Sequence, residues 1–192
     1  MKPLPRNVNL GLFVAFAALM VATRFHHFGD VLHLPDASMA LFFLGGLYLR
    51  KHWQFAVFIV LAVVIDWIAI EHAGVSDFCV TPAYSFLLPA YGVLWYAGRL
   101  YANRFDTSWR SLLGAGGVAL VASTSSFAIS NGAFYWLGGR YADPHFAEYL
   151  ARAWQWGPLF VRTTMAYVVV ALVVHAIAAS ALAFRADRPT DR

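Results

Sequence analysis

The chain has 192 residues, of which 60% are apolar and only 12% charged, with a net charge of +4. A soluble domain carries about 25% charged residues, and the mean hydropathy here is +0.60. These values exclude a disordered chain, weigh against a water-soluble globule and leave no room for a large soluble domain. The class that remains is a small polytopic membrane protein forming one domain over 1–192.

Six apolar segments follow in chain order. The first, residues 7–23, reads as a start-transfer helix rather than a cleaved signal, because no clear small-residue cleavage site precedes a mature domain. Within it, Ala18 and Ala22 form a small-xxx-small pair that lets another helix approach closely, either a partner's or one of the same bundle. The second segment, 37–49, is short and contains Gly45-Gly46. It is either a short tilted span or a re-entrant segment enclosed by protein. The third, 53–70, carries Asp66 near its end. The fourth opens at Pro82, a good first-turn residue, and runs to residue 98 with a kink expected at Pro89.

The fifth segment, 111–133, leads into a connection rich in aromatic residues: Phe134, Tyr135, Trp136, Tyr141, Phe146, Tyr149, Trp154 and Trp156. Asp143-Pro144 reads as an N-cap followed by proline at the first helical position. Glu148 and Arg152 stand four apart, a favourable helix pair. A short helix over 144–156 is therefore expected at the membrane surface, as an interfacial aromatic belt or as a lid over a pocket for a large flat ligand. The sixth segment, 157–184, has Arg162 near its start.

If all six segments cross, Lys2, Arg6, Arg50, Lys51, Arg99, Arg104, Arg110, Arg185, Arg188 and Arg192 share one side, against Arg24, Arg140, Arg152 and Arg162 on the other. The positive-inside rule then puts both termini in the cytoplasm and supports an even number of crossings. The outer connections are longer. They hold His26, His27, His33, His72 and His145, six carboxylates and the single cysteine, so chemistry is expected on the outer face. One cysteine permits no intrachain disulfide, and no basic patch interleaved with stacking aromatics points to nucleic acid.

Asp66, inside a span, is a functional candidate by default, since a carboxylate there is costly. The simpler reading is that it snorkels or pairs with Arg162 or Arg24. Cys79 lies in Asp77-Phe78-Cys79-Val80-Thr81-Pro82, just before the fourth span. A lone cysteine in apolar surroundings is usually an inert small hydrophobe. At a helix N-terminus the dipole would favour its thiolate, a soft ligand and a nucleophile. Tyr84, Arg152 and the His26-His27 pair are further candidates. Each also has a plain reading: an interfacial tyrosine, a lipid-phosphate arginine and a solvated histidine pair. The chain has no HExxH, CxxC, GxSxG or P-loop, which weighs against a membrane protease, a zinc ribbon and an ATPase. Any use of ATP would require another subunit.

Taken together, these features resemble the substrate-binding S-components of energy-coupling-factor (ECF) vitamin transporters, and within them the BtuM-type cobalamin transporters. The resemblance is carried by His27 after the first span, Asp66 in the third, the run Ser76-Asp77-Phe78-Cys79-Val80-Thr81-Pro82-Ala83-Tyr84, and Arg152 on the aromatic helix. It covers nearly the whole chain, and the Cys79 to Tyr84 stretch is its most specific part. The resemblance implies an all-α, six-helix S-component bundle in the bacterial inner membrane with both termini cytoplasmic. Cobalamin would be the transported ligand, with Cys79 as ligand to its cobalt and agent of cyanide removal from cyanocobalamin. Asp66, Tyr84, Arg152 and His27 would surround the corrin, and the Ala18–Ala22 face would serve a partner, with a shared ECF module as the candidate. Three other readings stand beside it: an S-component for another vitamin or for a cobalt or nickel ion, a membrane thiol enzyme pairing Cys79 with a histidine base, and a structural membrane subunit without a ligand.

Overall fold

The computed structural model describes residues 4–24 and 34–186. His27, with His26 and His33, lies outside the described residues. Six α-helices follow in order: α1 (Arg6–Arg24), α2 (Ser38–Tyr48), α3 (His52–Ala73), α4 (Leu87–Tyr101), α5 (Trp109–Leu137) and α6 (Phe146–Ala186). Between α3 and α4 lie two 3-10 turns, Asp77–Cys79 and Pro82–Phe86. Among the described residues there is no strand.

Four helices, α1, α3, α5 and α6, are long and apolar enough to cross a membrane. Their outward faces carry large apolar side chains, such as Val60 and Trp67 on α3 and Val170 and Ile177 on α6. The polar Arg24, Gln54, Ser123 and Thr164 are buried. Exposed apolar surface of this extent is what lipid covers, and it marks the chain as a membrane protein.

The core is built around α2. Every residue of this helix except Met39 is buried, so an apolar stretch without a polar face is satisfied by being enclosed on all sides. Its 11 residues span about 16 Å, roughly half the hydrocarbon thickness. α2 lies tightly on α4 because glycines remove the side chains between them. A Cβ at Gly46 would strike the Trp95 carbonyl, and one at Gly98 would strike the Phe43 carbonyl. Phe42 stacks on Tyr91 with centroids 4.1 Å apart, and Trp95 is fully buried between α2 and α3.

Contacts define the two ends of the bundle. At one end Arg24 reaches Ser38 and Asp66, Tyr84 reaches Asp66, and Arg140 reaches Phe78. At the other, Gln54 donates to Asn9 (2.9 Å), Tyr101 donates to the Ser111 carbonyl (2.9 Å), and Phe105 packs on Tyr48 and His175. Successive helices therefore alternate in direction, and the first end gathers the expected site.

Three local expectations are corrected. Pro89 does not kink a span. The 82–86 stretch is a 3-10 turn, so Pro89 falls in the first turn of α4, where its missing N–H has no helical acceptor to lose. The aromatic segment 144–156 does not form a separate surface helix. It is the beginning of a 41-residue α6 that runs through Pro158 and packs back along α5, with Tyr149 beside Gly132 and Gly157 against Phe127. Glu148 does not pair with Arg152: it accepts from the Tyr135 hydroxyl (3.0 Å) and lies 3.8 Å from His145.

Candidate functional site

The site begins with a carboxylate that apolar surroundings would not tolerate alone. Asp66, on α3, receives Arg24 in a two-pronged pair: Nε donates to Oδ1 at 2.7 Å and Nη2 to Oδ2 at 2.6 Å. Tyr84 donates its hydroxyl to Oδ2 at 2.6 Å. Arg24 Nη1 in turn donates to the hydroxyls of Ser38 (3.1 Å) and Tyr91 (2.8 Å), and lies 3.5 Å from Asp36 Oδ2. Asp36 Oδ1 accepts from both the backbone N–H (2.9 Å) and the hydroxyl (2.6 Å) of Ser38. One buried guanidinium thus joins α1, α2, α3 and α4 through two carboxylates and two hydroxyls, and Tyr84 joins the network through Asp66. Arg162, the other partner considered for Asp66, is exposed on α6.

Beyond Asp66, the chain leaves α3 at Gly74, whose φ of +67° lets the helix end in a left-handed turn. Ser76 accepts the Phe78 N–H at 3.2 Å and caps the turn that ends on Cys79. Cys79 is an exposed free thiol. It lines a small cavity of about 30 Å³ with Asp66, Ile70, Val75, Ser76, Val80 and Tyr84. That volume holds about one water molecule.

The turn is strapped to the α5–α6 connection. Arg140 Nε donates to the Phe78 carbonyl at 3.1 Å, and its guanidinium stands 5.0 Å over the Phe78 ring. Phe78 packs edge-on against Phe134 (5.6 Å), Phe134 against Tyr141 (6.3 Å), and Arg152 covers Tyr141 at 4.7 Å.

The helix-dipole expectation for Cys79 is corrected. α4 begins only at Leu87, eight residues on, and no α-helix starts at the sulfur. Burial against its apolar neighbours pushes the thiol above its ordinary value. The charge of Asp66 adds to the rise, and Arg140 opposes it. These surroundings favour the thiol over the thiolate, so a metal that binds the sulfur must displace a proton.

No family model matches this chain, and no curated protein matches it to significance.

The structure therefore brings together Asp66, Cys79 and Tyr84. Arg152 stands apart, linked to the Cys79 turn only through Tyr141, Phe134 and Phe78. His27 is not placed. Ala18 and Ala22 are both exposed on α1, so the pair does not serve packing inside the bundle. His72, a base considered for a thiol enzyme, lies edge-on to Trp67 (5.7 Å). Among the described residues, no three His, Cys, Asp or Glu side chains converge on a point that could hold a bare metal ion.

Sequence reasoning missed the central role of Arg24 and the strap made by Arg140. The signal for Arg24 was present, because an intramembrane carboxylate needs a cation and Arg24 was one of two within reach. Arg140 gave no local signal. Its partner is a main-chain carbonyl 62 residues away.

Proposed function

We propose that this protein is a six-span cobalamin uptake transporter of the bacterial inner membrane, binding its ligand at the outer end of the bundle with Cys79 as a ligand to cobalt. The observation that carries this reading is the meeting of Cys79, Asp66 and Tyr84 around one cavity, within the stretch that most resembles BtuM-type transporters. A thiolate suits one axial position of a corrin cobalt. Asp66 and Tyr84 supply an acceptor and a donor for the amides on the ring's rim, and the Phe134–Trp156 aromatics offer apolar cover.

In this reading α2 crosses as a segment enclosed by protein, so its shortness carries no exposure of backbone to lipid. With the Arg24–Asp66 end outermost, the connections around Arg50, Lys51, Arg99, Arg104 and Arg110 face the cytoplasm together with both termini, as the positive-inside rule favours. The exposed Ala18–Ala22 face is the proposed contact for a shared ECF module, which would supply the ATP chemistry that this chain lacks.

Decyanation follows as ligand exchange at cobalt(III). The Cys79 S–H gives up its proton, the sulfur electron pair forms the Co–S bond, and cyanide leaves with the Co–C electron pair and takes a proton to become HCN. Cobalt stays in the +3 state and no reductant is consumed. The cavity is far smaller than the roughly 300–1,000 Å³ of sites for drug-sized ligands, so a corrin enters only when the Cys79 turn swings away from Arg140.

The test is calorimetry and visible spectroscopy of the purified protein with cyanocobalamin. Binding with a shifted corrin spectrum and HCN release is expected for the wild type, and loss of the shift and of HCN for Cys79→Ala. Absence of corrinoid binding by the wild type would overturn the reading.

A further inference from the structure

At the other end of the bundle, a groove of about 460 Å³ runs between α4 and α5. It is lined by Val93 and Ala97 on α4 and by Gly114, Gly117, Val118, Val121, Ala122 and Ser125 on α5. Its one hydroxyl, Ser125, already donates to the Val121 carbonyl at 2.9 Å, so the lining is apolar throughout. From Gly114 to Ser125 the groove follows α5 over 12 residues, about 16 Å along the axis. Near the end at the α4–α5 connection, the Tyr101 hydroxyl lies where a Cβ on Gly114 would go and donates to the Ser111 carbonyl at 2.9 Å.

Two exposed cations stand at that end. Arg110 heads the same face of α5 as the groove: 110, 114, 117, 121 and 125 are separated by three or four residues. Its guanidinium stands 5.6 Å from the exposed Trp109 ring, an aromatic suited to headgroup depth. Arg104 lies in the connection itself and is exposed. The one carboxylate there, Asp106, accepts the Ser108 N–H at 2.7 Å.

We propose that this groove seats one acyl chain of an anionic phospholipid whose phosphate is held by Arg104 and Arg110. The lining and the cations divide as such a lipid divides: an apolar slot about as long as much of a chain, with positive charge just beyond its end at the α4–α5 connection. A neutral lipid would use the slot but leave the arginines without a counter-charge. A transmembrane helix from a partner would leave them the same way. The inference rests only on the chain lying in a bilayer, not on the nature of the transported ligand.

The experiment is native mass spectrometry of the detergent-purified protein, challenged with equimolar dioleoyl phosphatidylglycerol and dioleoyl phosphatidylcholine. Retained adduct is expected to favour the anionic lipid by tenfold or more. Arg104→Gln and Arg110→Gln should each cut that preference about fivefold, the usual weight of one basic residue at an anionic headgroup. Inorganic phosphate at millimolar level should not compete, because the chain contributes to binding. Gly117→Leu should reduce adducts of both lipids. Its Cβ meets no neighbour, so the side chain fills the groove without clashing with the fold. Gly116→Leu, equally open but absent from the lining, should retain them. Equal retention of the two lipids by the wild type would overturn the proposal. So would an unchanged preference in the exposed, fold-neutral arginine variants. A Gly117→Leu change in oligomeric state with lipid adducts intact would assign the groove to a second copy of the chain instead.

Discussion

Arg24 and Asp66, 42 residues apart, meet in a two-pronged ion pair whose guanidinium side chain is 8% exposed and whose carboxylate side chain is 16% exposed. The pair is asymmetric. Arg24 has a second carboxylate in Asp36, whereas Asp66 has no second cation within ion-pair distance among the described residues. Desolvating charges is costly, and stripping one partner from a buried pair leaves the other unpaid.

That asymmetry ranks two substitutions. Arg24→Met leaves two half-buried carboxylates and the hydroxyls of Ser38 and Tyr91 without their common partner, and is expected to cost about 3–5 kcal/mol. Asp66→Asn leaves Arg24 with Asp36 and keeps an acceptor for Tyr84, and is expected to cost about 1–2 kcal/mol. Thermal unfolding in detergent should show Tm falling by about 10 °C or more for the first and about 3–6 °C for the second. An equal or reversed order would refute the assignment of Arg24 as the hub.

The raised pKa of Cys79 sets a pH dependence. The thiolate is the reactive form, so alkylation should climb about tenfold per pH unit and level off only above the ordinary thiol value of about 8.5. Asp66→Asn removes a negative charge that disfavours thiolate, and should move the midpoint down. Arg140→Gln removes a positive charge that favours it, and should move the midpoint up. Apparent affinity for any metal centre bound through the sulfur should rise with pH over the same window and flatten above the midpoint. Labelling rates measured from pH 6 to 10 would settle both directions, and a midpoint below the ordinary thiol value would contradict the environment described.

Glycines at the α2–α4 contact should be intolerant for a geometric reason. At Gly46 and Gly98 the atom that an added Cβ would meet is a main-chain carbonyl, which cannot step aside as a flexible side chain can. Alanine at either position is expected to force the helices apart and cost about 3 kcal/mol or more, despite its better helix propensity. Gly92→Ala and Gly116→Ala face open space and should be neutral or stabilising by up to about 1 kcal/mol. Size-exclusion profiles after graded heating would separate the two pairs.

How far the sequence reached depended on the kind of signal. α1, α3 and α5 were legible because continuous apolar runs of membrane length have one reading. α2 was ambiguous because a short apolar stretch without periodicity does not say whether lipid or protein surrounds it; its glycines, fitted against Trp95 and the Arg99 backbone, supply the answer only in three dimensions. The helix expected over 144–156 starts within two residues of α6, but it reads as separate from the sixth segment at 157–184, whereas one helix runs through Pro158. Proline removes one helical hydrogen bond, and in a helix of 41 residues packed along α5 the rest hold. At the site, Asp66, Cys79 and Tyr84 could be chosen by residue type and place. Arg140 could not, because its contact is with a carbonyl and a ring brought near only by the fold.

Arg140 is also where the closed site should yield. The Cys79 turn is held to the α5–α6 connection by one charge-assisted hydrogen bond to the Phe78 carbonyl and by the guanidinium over the Phe78 ring. Both are exposed, so their joint worth is modest, about 1 kcal/mol. Arg140→Ala should therefore raise hydrogen exchange at the Phe78 to Val80 amides about three- to tenfold, with little change at α3 or α4, since local opening draws on these contacts alone. If the turn is the gate for a bulky ligand, the association rate should rise by a similar factor while the bound state, in which the strap is already broken, dissociates at nearly the wild-type rate. Arg140→Lys keeps the charge but cannot reproduce the planar stacking, and should fall between. Stopped-flow binding of cyanocobalamin to the three proteins would distinguish a strap, which changes the association rate, from a ligand contact, which would instead speed dissociation.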